Sequence, residues 1–253
     1  MSINRREFTK FSAGAIGALA FPANSYARII GANDTINVGF MGTNSRGAGL
    51  LGSFAKMEGT NLTHNCDVDS RVLERTHNAI VKAGFAAPKS NKDIRRILED
   101  PTLDALVIAA PDHWHATAGL MALEAGKHVY VEKPLTHNPH EGEIFVAGQK
   151  RYNKVVQMGN QQRSSIESIE LMDLIRDDFL GTIYRAETWY GNNRGSIGNG
   201  NSISPPGWLD WDLWQGPAPR KDYKDNYVHY NWHWFWHWGT GEICNNAAHE
   251  LDI

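Results

Sequence analysis

Apolar positions along the chain fall in short runs separated by glycine turns and amphipathic stretches, and this rhythm predicts alternating strands and helices. Residues 36–41 (Ile-Asn-Val-Gly-Phe-Met) read as a short buried strand. A glycine-bearing turn follows at 42–47, then a helical pattern through Leu50, Leu51, Phe54 and Met57. Residues 61–66 form a weaker strand, 71–83 a helix with Val72, Ile80 and Val81 on its apolar side, and 91–98 a further helix. The unbroken apolar run 105–110 has the pattern of a parallel strand covered on both faces. A helix at 116–125, closed by Gly126, and a strand at 128–131 continue the alternation. Repetition of this kind predicts an α/β fold with a doubly wound parallel sheet, whose ligands sit at the carboxyl ends of the strands.

Beyond residue 158 the pattern changes. Residues 183–190 predict a strand, and Trp208, Trp211 and Trp214 lie in a Pro/Gly-rich connection too long and too aromatic for an idle linker. Residues 229–238 alternate, with Trp232, Trp234, Trp236 and Trp238 on one side and His229, Asn231, His233, Phe235 and His237 on the other; period two predicts a strand. On a strand, positions four apart lie ~13 Å from one another. One zinc ion, which holds imidazole at ~2.0–2.1 Å, cannot then gather His229, His233 and His237, so no metal is expected. A helix over 245–253 ends with no glycine, basic last turn or cap. One or two strands rarely make a stable sheet. Residues 159–253 are therefore expected to be an incomplete α+β substrate domain, and the chain a C-terminally truncated part of a longer protein.

The first 27 residues read as an address. Arg5-Arg6 and Lys10 precede an apolar stretch from Phe11 to Phe21, and Ser25-Tyr26-Ala27 supplies small residues at a cleavage site. Eleven apolar residues are too few to span ~30 Å of hydrocarbon, so no stable membrane span is expected. The paired arginines with Phe8 resemble a twin-arginine signal, which implies the folded-protein export machinery as a partner and a periplasmic location. Removing residues 1–27 takes away a net +2 and leaves the mature chain near −5. With Lys+Arg 25 against Asp+Glu 28, nothing in the charge balance draws nucleic acid. Hydrophobic residues at 42% exclude a disordered chain, and the two cysteines, Cys66 and Cys244, exclude a disulfide framework.

Candidate chemistry begins in the first turn, Gly42-Thr43-Asn44-Ser45-Arg46-Gly47. Strand, glycine turn and helix opening are the context of a dinucleotide fingerprint: Gly42 permits the tight turn, Gly47 the close approach of helix and strand, and the helix N-terminus meets a pyrophosphate. This predicts a Rossmann NAD-binding domain over 33–158. Asn44 stands where the middle glycine is usual; asparagine tolerates positive φ best among the other residues, so the turn is expected to survive. Asp67, twenty residues past Gly47, is placed to accept from the ribose hydroxyls, which favours NAD. Asp67 and Asp69 could instead cap the helix beginning near Ser70. Arg46 or Arg71 could meet a 2′-phosphate, which keeps NADP open.

Pro111-Asp112-His113-Trp114-His115, Glu132-Lys133-Pro134, Met158-Gly159-Asn160-Gln161-Gln162-Arg163 and His249-Glu250-Leu251-Asp252, in this order after the glycine turn, resemble the Gfo/Idh/MocA family of sugar and polyol oxidoreductases. The resemblance implies catalytic roles for Lys133 and His249. It places Gly42, Asn44, Arg46, Gly47, Asp67, Pro111, His115 and Glu132 at the cofactor, and Arg163, Asn245 and Asp252 at a carbohydrate substrate. Asn245 stands one helical turn before His249, where an acid is common in the family; an amide orients a group but takes no proton. The expected activity is that of an NAD(P)-dependent oxidoreductase on a sugar, polyol or glycoside. Because export separates it from a nicotinamide pool, a redox-neutral cycle with tightly held cofactor is expected, either transhydrogenation or oxidation–elimination glycoside cleavage. The competing reading is a periplasmic sugar-binding or interaction protein that keeps the fold without turnover. Homo-oligomerisation of the full-length protein stays open.

Overall fold

The computed structural model describes residues 35–252. The expected signal segment lies outside the described residues. Strands β1 (Ile36–Met41), β2 (Thr60–Cys66), β3 (Lys89–Asn91), β4 (Ala105–Ile108), β5 (His128–Glu132) and β6 (Val156–Gly159) form one sheet in the order β3-β2-β1-β4-β5-β6. The pairs β1–β4, β2–β3, β4–β5 and β5–β6 run parallel, with Met41 opposite Ile108 and Ile108 opposite Val131. The order reverses between β1 and β4, and this switch opens a crevice at the strands' carboxyl ends.

Helices α1 (Arg46–Phe54), α2 (Ser70–Lys82), α3 (Ile94–Leu98), α4 (Asp112–Glu124) and α5 (Pro139–Tyr152) connect the strands. Side-chain alternation sends Leu106 and Ile108 into one core, with Val129, Val131, Ala118, Leu123 and Phe145, and Val107 into another, with Phe40, Leu50, Leu62 and Ile80. Both faces of the sheet are thus covered, as the apolar run 105–110 predicts. Gly119 in α4 admits Phe145 from α5, whose ring tip lies 2.2 Å from where a Cβ would stand.

Past β6 come a 3-10 turn (Gln161–Ser164), α6 (Ile166–Arg176) and α7 (Trp211–Gln215). Neither strand expected here forms. Residues 183–190 carry no strand hydrogen bonding, and 229–238 fold into a 3-10 turn (Asn231–Trp234) followed by a second turn. The indoles do not share a face: Trp232 and Trp238 are buried, whereas Trp236 is 88% exposed. Trp211, Trp214, Tyr223, Tyr227, Trp232 and Trp238 instead make a cluster, with Trp211 stacked on Trp214 at 4.8 Å and Trp238 edge-on to Tyr227 at 4.7 Å. The closing helix is divided into a π turn (Ile243–Ala247) and α8 (Ala248–Leu251).

The aromatic cluster is docked on α4 by His113, whose Nε2 lies 3.0 Å from the Trp214 carbonyl and Nδ1 3.3 Å from that of Trp238. Burial pushes its imidazolium down to about 4. Between that value and the ordinary 6.5 the folded protein binds fewer protons than the unfolded chain, so stability is full above pH 6.5 and falls as the pH drops through 4. The loss expected from this one group is about 3 kcal/mol. Urea unfolding at pH 7 and pH 4 measures it, and His113→Asn should remove most of the difference; an equal loss in that variant would assign it to other groups.

Candidate active site

The crevice is built on two glycines. Gly42 leaves β1 with φ +79, and a Cβ there would lie 2.6 Å from the Ala109 carbonyl oxygen at the end of β4. At Gly47, in the first turn of α1, a Cβ would lie 1.9 Å from the Gly42 carbonyl oxygen. Helix and strand therefore touch backbone to backbone, and α1, which no side chain caps, presents its N-terminal end to the crevice. The left-handed step expected at Asn44 falls instead on Ser45 (φ 42). The Asn44 side chain is thereby released to accept from Arg75 Nη2 at 2.8 Å.

Asp67 closes β2 and lines the crevice opposite this turn. Its oxygens accept the N–H groups of Thr43 at 2.9 Å and Asp69 at 3.0 Å. Burial pushes its carboxyl above the usual range, with the two N–H donors pulling the other way. The cap of α2 is Asp69, which accepts from the Arg71 N–H, so the capping role left open between the two acids falls to Asp69. Both arginines offered to a 2′-phosphate are held by carboxylates: Arg46 Nε donates to Glu132 at 2.6 Å, and Arg71 Nη2 to Asp69 at 2.7 Å. An apolar-walled cavity of about 330 Å³, uncapped helix N-terminus, glycine cradle and acid at the end of β2 together fit an adenine dinucleotide.

Lys133 follows β5 directly. Its Nζ donates to the Asn245 main-chain oxygen and, at 3.2 Å, to Asn245 Oδ1. Burial pushes the ammonium below its ordinary value while Asp112 and Glu132 push back. His249 lines the same cleft; burial, reinforced by the Lys133 charge, lowers its imidazolium too, and its Nε2 stands 3.4 Å from Gln161 Nε2. Asn245 Nδ2, buried, has no partner among the described residues. His115 sits beneath, its ring nitrogens 2.8 Å from the Ala110 oxygen and 2.6 Å from that of Pro134, tying the loop after β4 to the segment carrying Lys133.

The structure thus brings Gly42, Asn44, Arg46, Asp67, Pro111, His115, Glu132, Lys133, Asn245 and His249 around one cleft, with Gly47 behind it. Arg163 and Asp252 are not in its lining. They pair with each other at 2.8 and 2.7 Å, and Arg163 points largely to solvent, so they join the 3-10 turn after β6 to the end of α8 instead of facing a substrate. Asp112, inside the Pro-Asp-His-Trp-His segment, also lines the cleft, a place that its neighbours in sequence do not signal. Its Oδ2 accepts the Thr240 hydroxyl at 2.6 Å and the Thr240 N–H at 3.0 Å at the cleft wall. Tyr230, Trp232 and His233 also line the cleft. In the sequence Trp232 stands out only as part of a strand face, His233 only there and as a metal ligand, and Tyr230 not at all; among the described residues no three His, Cys, Asp or Glu side chains gather around one point.

Fold and site together define a dinucleotide-binding domain of the doubly wound type. Residues 36–160 match the oxidoreductase family with an NAD-binding Rossmann fold, and through them the chain belongs to the Gfo/Idh/MocA family. A glycosyl hydrolase family 109 protein of Shewanella pealeana is 26% identical over 211 residues, which cover 75% of this chain and 46% of that protein. The chain therefore spans about half the length of such relatives. An NAD binding oxidoreductase from Klebsiella pneumoniae is 25% identical with a TM-score of 0.51, over 57% of this chain and 39% of the other. Myo-inositol 2-dehydrogenase from Lactobacillus plantarum shares the fold at 22% identity and a TM-score of 0.55, over 59% and 43%.

Proposed function

We propose that the protein is a sugar oxidoreductase that keeps NAD bound through a redox-neutral cycle, exported to the periplasm by its twin-arginine leader. The observation that carries the catalytic part is Lys133: a half-buried amine with a lowered proton affinity, at the end of β5, in the cleft that the glycine cradle opens. Bound NAD supplies a reversible hydride acceptor. The chain's own residues supply the proton handling. Lys133 Nζ takes the proton of the substrate hydroxyl as its carbon is oxidised, and returns it as a carbon is reduced. Asn245 holds that amine in place and, being an amide, leaves proton transfer to it and to His249. Glu132, locked to Arg46, fixes the strand end from which Lys133 projects.

The relative's name as a glycosyl hydrolase supports the version in which a glycoside is oxidised, loses its aglycone, gains water and is reduced back. The test is the full-length protein purified from its export compartment. Absorbance of reduced nicotinamide that bleaches or grows on adding a sugar supports the reading. Retained sugar with no cofactor would replace it with a binding protein.

A further inference from the structure

The cleft that Lys133 lines also carries an imidazole that the proton handling above does not use. His233 Nδ1 lies 2.5 Å from the Tyr230 carbonyl oxygen, and its ring is stacked on Trp232 at 3.6 Å, with 19° between planes. A ring nitrogen facing a carbonyl must carry the proton, so Nδ1 is the donor and the lone pair resides on Nε2. Among the described residues Nε2 has no hydrogen-bond partner, and His233 lines the same cleft as Lys133, Asn245 and His249. Bond and stack together leave the ring little freedom to turn away.

We propose that His233 is a specificity-determining residue, its Nε2 accepting a hydrogen bond from a sugar hydroxyl other than the one Lys133 deprotonates. This rests on the sugar-oxidoreductase reading. A lone pair on this wall suits a polyol, because each of its hydroxyls brings a proton to donate. Burial, together with the Lys133 and Arg194 charges, pushes the His233 imidazolium down, against the pull of the Tyr230 carbonyl and Asp112, which keeps the acceptor form in place at neutral pH. A site built to bond one hydroxyl rejects the analogue that lacks it.

The experiment uses the full-length, cofactor-loaded protein, methyl glycosides and free sugars as probes, and His233→Phe and His233→Gln. In histidine ¹⁵N spectra, the His233 signal, assigned by its loss in the glutamine variant, should show protonated Nδ1 and bare Nε2. With a sugar that turns over, His233→Phe should raise KM about tenfold with kcat nearly unchanged. His233→Gln, which retains an acceptor oxygen, should recover most of that loss. Among deoxy analogues, one position should abolish the difference between wild type and the phenylalanine variant. An Nε2-protonated ring, an unchanged KM, or a penalty equal for every deoxy analogue would overturn the proposal alone. A wild type inert to every sugar would overturn the underlying reading and this proposal with it. Should the phenylalanine variant fail to fold, the tautomer and the glutamine variant decide.

Discussion

Lys133→Ala should lower turnover of the cofactor-loaded protein by about 10²- to 10⁴-fold, the range that a positioned proton-transfer group contributes, while NAD stays bound. Retention is expected because the cradle rests on Gly42, Gly47, Asp67 and the N-terminus of α1, none of which contacts Lys133 Nζ. Loss of the amine also strips the Asn245 main-chain and side-chain oxygens of their donor. Lys133→Arg should fail to rescue, since guanidinium keeps its proton at every working pH and cannot shuttle it. Single-turnover rates alongside the nicotinamide content of each purified variant separate the two effects. Undiminished rates would take Lys133 out of the chemistry; lost cofactor would move it into binding.

Gly47→Ala should cost about 3 kcal/mol of stability and empty the dinucleotide site. The new methyl group would fall 1.9 Å from the Gly42 carbonyl oxygen, and the atom it meets is backbone, so no side chain can turn aside. Helix α1 must lift from β1, and its N-terminal end moves off the crevice. Gly49→Ala makes the same chemical change two residues along the same helix, where a Cβ would meet nothing within 4 Å. It should stabilise by up to about 1 kcal/mol through helix propensity alone and keep the cofactor. The contrast isolates the contact from the composition change. Urea unfolding and cofactor stoichiometry measure it, and two variants behaving alike would contradict the packing described.

Much of the nucleotide half is legible because burial on both faces of a parallel sheet leaves an unmistakable imprint. The runs around Phe40, Val107 and Val131 mark β1, β4 and β5 to within a residue or two, and Gly126 closes α4 as expected. Edge strand β6 escapes notice, since Val156-Gln-Met-Gly is short and only half covered. Helix α5 escapes too: only Phe145 and Gly148 are buried along its fourteen residues. The aromatic stretch misleads for a different reason. Alternation signals a strand only when one side is buried together, and here Trp236 and Trp238 have opposite fates. The indoles find partners in three dimensions, across Trp211, Tyr223 and Tyr227, which no local period encodes.

At the site, motifs locate the cradle and the amine, because both depend on residues near one another in the chain. They do not locate partnerships across it. Asp69 receives Arg71 from its own helix start and His229 from far downstream, at 2.9 Å. The Arg163–Asp252 pair likewise joins two residues that each look like a free hydroxyl ligand when read alone.

That link from Asp69 to His229 spans 160 positions, and Asp112 to Thr240 spans 128. During synthesis the sheet can form as soon as β6 has emerged, but the rim of its crevice has no far bank until the ribosome has passed residue 240. Before then the Asp69 carboxylate has Arg71 alone for company, and nothing shields the mouth from water. The nascent protein thus completes its strands well before its doorway, and the last tryptophans to leave the tunnel finish a chamber begun near Gly42.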